Sequence, residues 1–141
     1  MSAEPSVDPT SPRRILVVDG DQRERDRAAR ALSEAGHAVD SAANRADVES
    51  LLGMRAYDLV LSDLRMPALN GPVLYQLLKD SCRDVMPAVI FSIARGYTSE
   101  YAGFLMRLAA PVLTKPVPAA DLRQAVERLL PPSATGAPAT F

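Results

Sequence analysis

Five short apolar runs, four of them ending in a polar residue and each followed by a stretch of helical periodicity, constrain this chain more than any other feature. The runs are Arg14 to Asp19 (RILVVD), His37 to Ala42, Leu59 to Asp63 (LVLSD), Pro87 to Ser92 (PAVIFS) and Val112 to Lys115 (VLTK). Apolar runs without a polar alternation read as strands covered on both faces, the habit of parallel sheets. The second run is poorer and suits an edge. Between them lie five predicted helices. The first spans Asp21 to Ala35, with Ala28, Ala31, Leu32 and Ala35 inward and Gly36 as its stop. The next runs from an Asn44 cap to about Arg55 with Val48, Leu51 and Leu52 inward, and a third from Gly71 to Ser81 buries Val73, Leu74, Leu77 and Leu78. Ser99 to Ala109 is the fourth, and Ala119 to Leu130 the fifth, with Leu122, Val126, Leu129 and Leu130 inward. Such alternation implies an α/β fold, a doubly wound five-stranded parallel sheet with helices on both faces.

A length of 141 residues allows one core. Residues 13–130 carry it; residues 1–12 and 131–141, rich in Pro, Ala, Ser and Thr, are expected to be disordered tails. No apolar run approaches the ~20 residues of a membrane span, and the N-terminus lacks the layout of a secretion signal. The single cysteine, Cys82, excludes an internal disulfide and fits a reducing cytoplasm. The single histidine, His37, excludes a site of several imidazoles and is expected to begin the second strand. A net charge of -1 gives nucleic acid no field to follow. Of sixteen cationic side chains only Lys79 and Lys115 are lysines.

In parallel sheets ligands gather beyond the carboxyl ends of the strands. Asp19, Asp63, Ser92 and Lys115 end four of the runs and so come to one edge, with Asp21 near. Taken singly each has an ordinary reading: a cap, a solvated aspartate, a satisfied hydroxyl, a solvated strand end. Together they combine carboxylates suited to Mg2+, donors for the oxygens of a phosphoryl group and a nucleophilic carboxylate, Asp63.

The segments ILVVDGD (15–21), YDLVLSDLRMPALNG (57–71), PAVIFS (87–92) and LTKP (113–116) carry a resemblance. From Arg14 to Leu130 the chain resembles the receiver domain of two-component response regulators, either stand-alone or of the kind found with hybrid sensor kinases. The resemblance implies a flavodoxin-like strand order 2-1-3-4-5. It implies that Asp63 accepts a phosphoryl group from a sensor histidine kinase or a histidine phosphotransfer protein. Lys115 and Ser92 would contact that group, and Mg2+ would be held by Asp19, Asp63 and the backbone carbonyl of Arg65. Lys115-Pro116 would be cis. The output would be a changed surface for a downstream protein in a phosphorelay, with a homodimer through the fourth helix, fifth strand and fifth helix as a further use. The resemblance implies a signalling domain acting on itself, not an enzyme with an outside substrate. A phosphatase on the same fold would carry a second acid where this chain has Arg65.

Two positions depart from the pattern. The second of the family's paired acids is Gly20, so Mg2+ is expected to bind weakly. Asp21 follows as a further candidate ligand, although Asp21-Gln-Arg-Glu24 has the spacing of a capping box. The aromatic residue usual three positions before the lysine is Val112, leaving Tyr97, Tyr101 or Phe104 to couple instead. The alternative reading is a degenerate receiver, a protein-interaction module that works without phosphorylation.

Overall fold

The chain was analysed as a computed structural model, which describes residues 13–82, 85–95 and 99–130. The expected tails and Tyr97 lie outside these residues. The strands are β1 (Arg14–Val18), β2 (Ala38–Ala42), β3 (Leu59–Asp63), β4 (Ala88–Ile93) and β5 (Val112–Thr114). The helices are α1 (Gln22–Glu34), α2 (Arg45–Met54), α3 (Gly71–Ser81), α4 (Ala102–Leu108) and α5 (Ala119–Leu129), with a 3-10 turn at Ser99–Tyr101. All strands are parallel, in the order β2-β1-β3-β4-β5. This is the expected order, with the poor second run at an edge.

Strand residues alternate between two cores because successive side chains point to opposite faces. Leu16, Val18, Val60, Phe91 and Ile93 face α2, α3 and α4, joined by Val48, Leu74 and Leu78. Ile15, Val17, Leu59, Leu61 and Ile90 face α1 and α5, joined by Ala31, Leu32, Leu122 and Val126. Both faces are therefore covered, and polar residues can collect only at the strand ends.

Helix starts follow the sequence closely. Asp21, Asn44 and Asn70 each accept backbone N–H bonds at the head of α1, α2 and α3. Gly36, at φ +98°, takes the left-handed conformation just past α1. Several expectations move. Ala35 is exposed at the helix end rather than inward. His37 stands before β2, β4 continues one residue past Ser92, and Lys115 lies just past β5. The fourth helix opens as a 3-10 turn, so Ala102, not Ser99, begins its α-helical part.

Gly71 begins α3 against the core. A Cβ there would collide with Leu64 Cδ1 and would lie 3.1 Å from Phe104 and 3.4 Å from Phe91. Leu64 and Phe91 are fully buried and have nowhere to retreat. Gly71→Ala should therefore destabilise by about 1–3 kcal/mol, the usual range for overpacking, measured as a lower urea midpoint at unchanged slope.

Candidate functional site

The register brings the candidate residues together. Asp63 is the Cα partner of Ser92 across β3 and β4, and Ser92 is the partner of Leu113 on β5, two residues before Lys115. Val18 pairs with Ser62, which sets Asp19 beside Asp63. The Lys115 ammonium reaches back over this edge. Its Nζ donates to Asp63 Oδ2 at 2.9 Å and lies 2.8 Å from Asp19 Oδ2. One cation thus ties the ends of β1 and β3. The Lys115-Pro116 bond is cis, as the resemblance implied.

The other carboxylate oxygens are also engaged. Asp19 Oδ1 accepts the Asp21 N–H at 2.9 Å, and Asp63 Oδ1 accepts the Arg65 N–H at 3.0 Å. Each carboxylate therefore has one oxygen fixed by its own loop and one turned to Lys115. Asp19 and Ser92 are buried, while Asp63 is half-buried. Ser92, Asp19 and Lys115 line one small cavity of about 70 Å³ together with Val17, Ala31 and Leu122.

Burial is the largest single influence on the Lys115 ammonium and by itself would lower its pKa. The hydrogen bonds to Asp19 and Asp63, with the charges of both, outweigh it and hold the group above its ordinary value. The ammonium is charged throughout the physiological range.

Asp21 does not join the acid pair. Its Oδ1 accepts the N–H of Arg23 at 2.9 Å and of Glu24 at 3.4 Å, capping α1. Only half of the capping box forms, since the Asp21 N–H goes to Asp19 and Glu24 pairs with Arg27. Among the described residues no three acidic, histidine or cysteine side chains gather into a metal-binding group. Val112 is half-buried on β5, and Phe104 packs edge-on against Phe91 and Tyr75 at centroid distances of 5.7 and 6.2 Å.

Two residues bear on the site without having been singled out in the sequence. Arg25 Nη1 donates to the Asp19 carbonyl at 2.7 Å, fixing the loop that carries this carboxylate. A signal existed: helical side chains lean toward the N-terminus, and Arg25 lies one turn after the Asp21 cap. Glu100 meets Arg65, Nε to Oε1, at 3.3 Å. Nothing local in the sequence pairs these two.

The family model of the response regulator receiver domain matches residues 15–127. The chain belongs to that family. This receiver is similar to protein PilH of Pseudomonas aeruginosa, 33% identical over 118 residues that make up 83% of this chain and 97% of that protein. It is also similar to the positive alginate biosynthesis regulatory protein of the same organism, 34% identical over 124 residues, covering 84% of this chain but 48% of that protein. A receiver domain protein from Clostridium thermocellum superposes with a TM-score of 0.72 at 26% identity, covering 84% of this chain and 94% of that one. The chemotaxis protein CheY4 of Vibrio cholerae, at 19% identity and a TM-score of 0.74, covers 84% of this chain and 98% of its own and shares the fold. Receivers are signalling domains of two-component systems and generally bind Mg2+ at their acidic pocket. In this receiver the hard oxygens of Asp19 and Asp63 converge on one point, a donor set that suits such an ion. Among the described residues no helix is long and apolar enough to cross a membrane.

Proposed function

We propose that this receiver is a phosphorylation-controlled interaction module with Asp63 as its acceptor. The observation that carries the reading is the single ammonium of Lys115 shared by Asp63 and Asp19 at adjoining strand ends. Asp63 Oδ2 attacks the phosphorus of a kinase or phosphotransfer-protein phosphohistidine. A P–O bond forms, the P–N bond breaks, and the imidazole leaves with the electron pair. The Arg65 N–H holds Oδ1 aside and so selects Oδ2 for the attack. Lys115 and the Ser92 hydroxyl then stabilise the transferred oxygens. Asp19, Asp63 and the Arg65 carbonyl would hold Mg2+, which supplies positive charge against those oxygens. The changed surface then binds a downstream protein, and the exposed Met106 of α4 leaves the α4-β5-α5 face open to a second copy. Incubating the protein with acetyl phosphate and Mg2+ should add one acid-stable, base-labile phosphate that maps to Asp63. A protein that takes up none, or takes it elsewhere, overturns the reading.

Gly20 sets the metal requirement. A Cβ at Gly20 would meet only the Ala43 carbonyl at 3.9 Å, so an aspartate fits there. Gly20→Asp should tighten Mg2+ by about ten- to a hundred-fold, the worth of one charged ligand. Asp21→Ala should instead cost about 0.5–2 kcal/mol of stability through the lost cap, with Mg2+ affinity almost unmoved. Mg2+ titration and urea unfolding of both variants check this. The opposite pattern would make Asp21 the ligand.

Decay of the phosphorylated form needs a water held in line with the acyl phosphate. The neighbouring positions are Arg65, which can only donate, and the exposed Ala94, which has no polar atom. The label should therefore outlast that of receivers carrying amide and carboxylate groups there, followed by loss of phosphate from the isolated protein.

A second reading has its own support. Lys115 already balances both carboxylates, so a receiver without a third acid could hold its partner-binding shape with no phosphate at all. Beryllofluoride with Mg2+ separates the two, since a module of the second kind neither binds it nor changes.

A further inference from the structure

α4 is the least anchored helix of the fold. It is seven residues long, has no side-chain N-cap and buries no residue fully. It ends at Ala109 with φ 56°, a left-handed conformation that a residue with a Cβ adopts only at a cost. Phe104 holds it to the sheet through Phe91 and to α3 through Tyr75. An ion pair, Arg65 with Glu100, joins its start to the site, and these side chains are 37% and 52% exposed. An exposed pair of this kind contributes little and is easily traded. Arg65 is also two residues from Asp63, and its own N–H is bonded to that carboxylate. An acyl phosphate at Asp63 carries up to two negative charges where the carboxylate carried one, beside the Arg65 backbone.

We propose that Arg65 exchanges Glu100 for the anion on Asp63, and that this exchange carries the charge state of the site to α4. The inference rests on Asp63 as acceptor and adds the route by which its charge is read. With Val112 in place of an aromatic side chain on β5, an ion pair takes the coupling role. The trade is favourable in sign because the guanidinium leaves a single, solvated carboxylate for a denser charge that its planar fork can chelate. Releasing Glu100 loosens the 3-10 turn at Ser99–Tyr101.

Competition for one cation makes opposite-signed predictions for the two members of the ion pair. Beryllofluoride with Mg2+ is titrated against the full chain and followed by 19F NMR, with amide exchange of residues 99–108 measured at saturation. Glu100→Gln removes one competitor for the Arg65 guanidinium and should tighten beryllofluoride by about two- to five-fold, the reciprocal of the pair it removes. Arg65→Gln should weaken it by at least as much. In Glu100→Gln, exchange over 99–108 should already be fast without the ligand and respond little to it, whereas the wild type speeds up on binding. A purely structural ion pair would shift both variants the same way, which overturns the exchange. So does bound 19F signal in the wild type with 99–108 unmoved. Absence of any bound signal in the wild type overturns the reading of Asp63, and the exchange falls with it.

Discussion

Asp63→Asn should bring phosphate incorporation down to background while leaving the fold almost as stable as the wild type. Asparagine is nearly isosteric, and its Oδ1 can still accept from the Arg65 N–H or from Lys115. What it lacks is the second carboxylate oxygen, the one that lies 2.9 Å from the Lys115 ammonium and that the proposed function makes the attacking atom. An amide nitrogen has no lone pair free for phosphorus. The stability change should be about 1 kcal/mol, since Asp19 keeps Lys115 paired. The direction for Lys115 is downward, because one of the two carboxylates that hold its pKa up is gone. Asp19 is a poor substitute acceptor. Its side chain is 8% exposed against 20% for Asp63, and Arg25 clamps its backbone from behind. Labelling with acetyl phosphate beside urea unfolding tests both halves. Label retained at the wild-type rate would move the acceptor to another residue.

Much of this was legible in the residues because two periodicities dominate the chain. Continuous apolar runs can only be strands covered twice, and that single inference fixes the doubly wound layout and the edge where Asp19, Asp63, Ser92 and Lys115 meet. Caps were equally plain, as Asp21 and Asn44 show, since a cap bonds its own next few residues. α4 was less legible. Ser99 is the expected start of the fourth helix, but its α-helical part begins three residues later, and Ala109 takes a backbone conformation that only glycine or asparagine would have announced. The Arg65–Glu100 pair lay further out of reach, because it joins residues 35 positions apart across two loops. Which cation meets which acid across loops is decided by tertiary placement. The chain has sixteen cations and seventeen acids to choose from.

Lys115→Met should destabilise the metal-free protein by about 3 kcal/mol. Methionine keeps most of the apolar stem and removes only the ammonium, so the effect reports the charge. Breaking a buried ion pair from one side costs about 3–5 kcal/mol, and the lower end applies because Lys115 and Asp63 keep 17% and 20% of their side-chain exposure. Two carboxylates would then face each other with no cation between them. Mg2+ should therefore restore part of the loss, raising the melting temperature of the variant more than that of the wild type. The pH dependence has a definite sign. The Lys115 pKa is raised in the folded state, so its contribution is fully present below the ordinary lysine value and is lost only as pH climbs through the raised one. Between about pH 7 and pH 9 the stability gap between wild type and variant should stay flat, and it should close only in stronger alkali. Urea midpoints across that range, with and without Mg2+, measure it. A variant as stable as the wild type, moved equally by Mg2+, would mean that the ammonium does not balance the acid pair.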